Sequence, residues 1–146
     1  MKYSAVLFLG LLAATSLVGC DDDDPSDVAN NCQREAAFEI DGEGICATGT
    51  FVLSASTTSI TLTGENNETL SIMVDGTEED TYTIPVGRAV YIDRNGEAFA
   101  STEGGTIDIR DNVSDMDASF SFSASSVTSG TTVEVTNGVI EDLPSR

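Results

Sequence analysis

The stretch Met116-Asp117-Ala118-Ser119-Phe120-Ser121-Phe122-Ser123-Ala124 decides how this chain is read. Met116, Ala118, Phe120, Phe122 and Ala124 fall on one face, and Asp117, Ser119, Ser121 and Ser123 on the other. In extended backbone successive side chains point to opposite sides, so this period of two marks a strand packed on one face and wet on the other. A helix would need its apolar residues three and four apart, and no 11-residue window after Cys20 carries such a stripe.

Outward from that stretch the same alternation recurs. Phe51 and Leu53 share a face, as do Ile60 and Leu62, then Leu70, Ile72 and Val74. Tyr82 with Ile84, Ile107 with Ile109, and Val133 with Val135 repeat it. Turn-forming residues separate the sets: Glu65-Asn66-Asn67, Asp75-Gly76, Asn95-Gly96, Gly104-Gly105, the stretch 111–115 and Ser129-Gly130. Pro85 either closes the strand that runs through Ile84 or sits at an edge, because proline donates nothing to an interior ladder. The expectation is an all-β, antiparallel domain of eight to ten short strands. Either a small β-sandwich or a barrel satisfies the pattern.

The 146 residues suit one domain. Acidic residues number 25 against 6 basic ones, a formal net charge of -19, with no histidine and no tryptophan. Nothing in that balance could neutralise a phosphate backbone, so nucleic acid is not an expected partner. Without histidine, Ser-His and Cys-His catalysis, histidine-ligated zinc and the usual neutral-pH proton shuttle are excluded. There is no G-x-S-x-G, no H-E-x-x-H and no phosphate-binding glycine loop. A carboxylate-based hydrolase is the remote enzymatic alternative, since two carboxyls can work only in a cleft that separates their pKa values. The expectation is a protein that is not an enzyme.

Met1 and Lys2 open the chain, and a mostly apolar run over residues 5–18 follows. At about 14 residues it is too short to cross a bilayer and fits the apolar core of a secretory signal. It ends in Leu17-Val18-Gly19-Cys20, which resembles the bacterial lipobox. That resemblance implies a signal peptide over 1–19 and a multiply acylated Cys20, which would make the membrane itself the first partner; one acyl chain alone anchors only marginally. Residues 20–31 then form a lipidated acidic tether, because the carboxylates of Asp21, Asp22, Asp23 and Asp24 repel one another. Cysteine followed by an aspartate run also resembles the export tag of Bacteroidetes lipoproteins bound for the outer face of the outer membrane, although in other bacteria such an aspartate resembles an inner-membrane retention signal. The mature basic residues are all arginine, and acidity without lysine resembles proteins of salt-adapted organisms.

The domain itself spans 32–146. Cys32 and Cys46 remain after Cys20 is lipidated, and an even pair in an exported chain points to a disulfide, with two free buried thiols as the alternative. Its large core residues are few: Phe38, Phe51, Phe99, Phe120, Phe122, Tyr82 and Tyr91. A solid interior suits them better than a large greasy cavity.

Three motifs resemble an uncharacterised domain family found mainly in Bacteroidetes lipoproteins. Phe38-Glu39-Ile40-Asp41-Gly42 resembles its opening "F-x-(apolar)-D-G". The run from Ala118 to Ala124 resembles its "G-x-F-x-F-x-A" strand, with Ala118 in place of the glycine. The run from Gly130 to Ile140 resembles its "G-x-T-V-x-V-T-N-G-x-F" close, with Ile140 near the final phenylalanine. The likeness covers residues 36–143 and implies an all-β lipoprotein domain with no assigned activity, so no functional residue comes with it.

Two chemical features merit naming. The stretch 111–117, with Asp111, Asp115 and Asp117, places oxygen ligands at alternate positions as calcium loops do, but the EF-hand's central glycine and final glutamate are missing, and a polar hairpin turn is the reading the residues favour. Asp75, Glu78, Glu79 and Asp80 form a second such cluster. No cofactor beyond this calcium possibility is expected. If the domain is a surface-displayed binding module for a glycan or protein, Tyr82 and Tyr91 are its candidate aromatics. If it is a structural envelope lipoprotein without a discrete ligand, both belong to the core.

Overall fold

Ten strands follow one another in a computed structural model that describes residues 32–102 and 104–146, and there is no helix among them. The expected signal peptide over 1–19, Cys20 and the expected acidic tether over 20–31 lie outside the described residues. The strands are β1 (Ala36–Ile40), β2 (Glu43–Leu53), β3 (Thr58–Gly64), β4 (Thr69–Val74), β5 (Thr81–Ile84), β6 (Ala89–Ile92), β7 (Ala98–Ser101), β8 (Gly105–Asp111), β9 (Asp115–Ser126) and β10 (Thr132–Pro144). All their pairings are antiparallel.

The sheet order β10-β1-β2-β3-β4-β6-β7-β9, with β10 also paired to β9, is a closed ring of eight strands. Of the two architectures open to the sequence, the chain takes the barrel. The remaining pair, β5 and β8, fits into the same wall. β8 pairs with residues 117–121 of β9, and β7 pairs with residues 124–126 on the same edge. β5 pairs with β8 as β6 pairs with β7. Thus β5 and β6 are two halves of one interrupted strand, and β7 and β8 two halves of the next. Read this way, the chain is an up-and-down meander in which every neighbour in sequence is a neighbour in space.

Pro85 causes the first interruption, since it has no N–H for the ladder. β7 ends opposite it at Ser101, and the Ser101 hydroxyl crosses the break. It donates to the Pro85 carbonyl (3.0 Å) and accepts the Ala89 N–H (3.0 Å). Ser101 and Ala89 are both buried.

Closure depends on β10. Its 13 residues shift register against β9 between Val135 and Gly138 and again between Ile140 and Leu143. Asn137 and Asp142 sit in these irregularities at φ of 50° and 54°. Such bulges bend and twist a strand, which lets β10 serve both β9 and β1. Gly138 faces Phe120 across the ladder so closely that a Cβ would lie 2.4 Å from its ring. The expectation of short strands therefore fails for β2, β9 and β10, which have 11, 12 and 13 residues.

Inward residues fill the barrel. Phe38, Phe51, Leu62, Leu70, Ile107, Met116, Ile140 and Leu143 are all buried. Phe38 meets Tyr91 edge-on at 6.4 Å and Phe120 at 6.2 Å between ring centroids. An eight-stranded barrel is just wide enough for side chains to fill, and these form its core. Leu53 departs from its period-two partner Phe51: it is the last residue of β2 and is exposed. The disulfide Cys32–Cys46 is present, with a Cα–Cα distance of 5.5 Å, and ties the segment before β1 to β2.

Candidate functional site

At one end of the barrel the inward-facing rows of side chains stop being apolar. On β2 the row Ala47, Ile45 ends on Glu43, and on β4 the row Ile72, Leu70 ends on Glu68. After β6 the row Ala89, Tyr91 ends on Asp93. Three walls therefore end in carboxylates at a single mouth. The turns there enclose a cleft of about 280 Å³, with Tyr91, Phe99 and Val133 among its apolar lining and Arg94, Asn66 and Asn95 among its polar lining.

Glu68 is the only buried carboxylate among the described residues, at 5 % exposure. Its Oε2 accepts the Asn66 N–H at 2.9 Å within the β3–β4 turn. Gly64 makes room for it, since a Cβ there would stand 2.7 Å from that oxygen. Tyr91 is equally enclosed, with its ring against Phe38 and Phe99. Its phenol is pushed up from 10.0 to about 12, first by burial and then by the negative potentials of Glu68 and Asp93, against a smaller opposing effect of Arg94. Among the described residues no hydrogen bond reaches its hydroxyl.

The rim is braced by its own turns. The Asp93 carboxylate accepts the backbone N–H groups of Glu97 (2.8 Å) and Asn95 (2.8 Å) and the Asn95 side-chain amide (3.0 Å). These bonds, led by that from Glu97, hold its carboxyl below the usual carboxylate range. The Glu97 carboxylate accepts the hydroxyls of Ser126 (2.5 Å) and Ser129 (2.7 Å), which lower it in the same way and fasten the β6–β7 hairpin to the β9–β10 turn. Arg34 pairs with Glu65 at 3.0 Å on the same rim.

The two candidate aromatics have different places. Tyr91 lines the mouth, although as a buried floor and not as an exposed patch. Tyr82 packs half-buried over the Gly76 backbone, donates its hydroxyl to the Glu78 carbonyl (2.8 Å) and accepts the Glu78 N–H (3.1 Å). It holds the β4–β5 loop.

The aspartates of the calcium expectation face other partners. Asp111 and Asp117 are cross-strand neighbours, but Asp111 accepts the Val113 N–H (3.1 Å) and Asp117 the Asp142 N–H (3.0 Å). Asp115 accepts the Ser114 hydroxyl at 3.2 Å. Among the described residues no group of three or more acidic, cysteine or histidine side chains is arranged to hold a metal ion, in this loop or in the cluster of Asp75, Glu78, Glu79 and Asp80.

Sequence reasoning missed Glu43, Glu68 and Asp93. The signal was in the period-two parity: Glu68 stands two residues before Leu70, on the face already assigned to the interior.

These features define a small, side-chain-filled, up-and-down β-barrel with one acidic mouth. The chain belongs to the family described as Domain of unknown function (DUF6252), whose model matches residues 34–144, from just before β1 to the end of β10. No curated protein and no solved structure matches it.

Proposed function

We propose that the chain is a lipid-anchored protein of the bacterial cell envelope, displayed on the outer face of the outer membrane, and that its barrel is a non-enzymatic binding module. The leader over 5–18 and the Leu17-Val18-Gly19-Cys20 site support the anchor, with the membrane as its partner through acylated Cys20. The aspartate run supports export to the surface. Eleven residues lie between Cys20 and Cys32, so even a fully extended link would hold the barrel within roughly 40 Å of the bilayer.

One observation carries the binding role: in an otherwise filled barrel, the open space of the mouth lies over a buried carboxylate and a buried phenol. Small-ligand sites combine apolar walls with a few fixed polar groups in this manner. A glycan end or a protein side chain fits that description. The filled interior favours a second reading, a structural envelope lipoprotein without a discrete ligand.

Two measurements test the proposal. Metabolic labelling with an alkyne fatty acid is expected to mark the wild-type chain and not Cys20→Ala, and protease added to intact cells is expected to degrade the anchored protein. Failure of either removes the anchor or the surface placement. A glycan and peptide array probed with the detergent-solubilised chain then separates the two readings, since a blank array supports the structural one.

A further inference from the structure

We propose that the mouth receives a primary ammonium or guanidinium group, with Glu68 and Tyr91 as the pair that binds it. The proposal rests on the binding-module reading and names the chemistry of its ligand.

Glu68 is ionisable and 95 % enclosed, yet its partner among the described residues is one backbone N–H, on Oε2. Its Oε1 has no partner among the described residues and is not sealed from solvent, so it is open to the cleft, where a cation or further donors can reach it. The nearby arginines are differently engaged or placed: Arg34 lies on the rim paired with Glu65, and Arg94 is exposed in the β6–β7 turn. Independently, the Tyr91 side chain is about nineteen-twentieths buried at the same cleft, and its hydroxyl, open to the cleft and not sealed in the core, has no hydrogen-bond partner among the described residues. Tyr91 lines the cleft together with Glu68, Asp93, Arg94 and Glu43.

An ammonium brings three donors and no acceptor, and a guanidinium five, which matches a site of spare acceptors. The rings of Tyr91 and Phe99, tilted together at 5.9 Å, add faces to which a cation is attracted. An anion would meet Glu43, Glu68 and Asp93 at the inner rim. The volume, that of about nine water molecules at roughly 30 Å³ each, suits an aliphatic amine or one basic side chain and is too small for an oligosaccharide.

The test uses the full-length chain in a non-ionic detergent, with cadaverine and agmatine as cationic probes, 1-pentanol as the neutral analogue and pentanoate as the anion. Backbone amide shifts of Gly44, Asn66 and Asn95 are followed by NMR. The expected result is saturable movement of these amides with the two cations alone. Glu68→Gln is expected to weaken binding by about tenfold or more, Tyr91→Phe to weaken it less, and Arg94→Gln to tighten it. Non-saturating shifts spread over the whole surface and indifferent to Glu68→Gln would reduce the effect to ordinary counterions and overturn the proposal. Binding of pentanoate that Arg94→Gln abolishes would make this an anion site and overturn it as well. If neutral glycans move the mouth amides while the amines do not, the ammonium assignment fails and the binding module stands. If no probe or glycan moves them, both fail.

Discussion

Replacing Ser101 by alanine removes the hydroxyl that bridges the shared break in the barrel wall. Two bonds go with it, to the Pro85 carbonyl and from the Ala89 N–H, each 3.0 Å long. The losses are unequal. The Pro85 carbonyl still accepts the Arg88 N–H at 3.0 Å, so it keeps a partner. The Ala89 N–H belongs to a fully buried residue and is left with nothing. An unsatisfied buried donor costs about 1–3 kcal/mol and a lost bond at a still-satisfied acceptor about 0.5–1, so Ser101→Ala should destabilise the domain by about 2–3 kcal/mol. Small domains have only about 5–15 kcal/mol in total. The melting temperature should fall by roughly 8–15 °C. Equilibrium urea unfolding followed by far-ultraviolet circular dichroism measures the loss, and an unchanged slope confirms that the native barrel is the starting state. Ser121→Ala, an exposed position on β9, serves as the control. If Ser101→Ala costs no more than Ser121→Ala, the hydroxyl is not what holds the break together.

Four further outcomes are expected. Replacing Cys32 and Cys46 by serine should lower stability by about 3 kcal/mol, the loop entropy of a cross-link over 14 positions, and an unmoved urea midpoint would refute this. Gly138→Ala drives a Cβ into the Phe120 ring and should cost about 1–3 kcal/mol, part of which Phe120→Leu in the same chain should restore in thermal melts. The Tyr91 phenol is raised above its ordinary value, so the unfolded chain loses this proton first: its contribution is complete below about pH 10 and is lost as pH rises through about 12. Ultraviolet phenolate titration should show this late step in the wild type and not in Tyr91→Phe. Tyr82→Phe loses the bonds to Glu78 and should cost about 0.5–1.5 kcal/mol in urea while leaving binding at the mouth unchanged in the NMR titration.

The strands were legible because one face of this wall is dry and the other wet, and such a wall writes itself in the sequence as alternation. Met116 to Ala124 reads correctly for that reason, as do the sets on β3, β4 and β8. Closure was not legible, because a sandwich imposes the same alternation. The ring is sealed by bulges at Asn137 and Asp142, and these residue types mark ordinary turns equally well. The union of β5 with β6 and of β7 with β8 was hidden because Pro85 and Gly104-Gly105 punctuate the chain whether or not it resumes in the same line. Of the candidate site, Tyr91 was in view by its chemistry and Tyr82 was chosen for the same reason, yet only tertiary packing separates a floor from a loop support. The carboxylates that finish the inward rows were passed over because a chain with 25 acidic residues makes any one of them look like surface.

The Cys32–Cys46 link also decides where mechanical load enters the barrel. Any pull on the chain ahead of Cys32 passes through the sulfurs to Cys46, four residues into the strand count of β2. Residues 33–45, which include all of β1 and its turn, are bypassed. β2 is held on both sides, by β1 through residues 43–47 and by β3 through residues 47–53, so the force is resisted by two ladders at once. Without the bond the same pull would fall on Ala36 and strip β1 away from β10 and β2 one pairing at a time. Whatever pulls on the chain ahead of Cys32, the first strand is spared the strain.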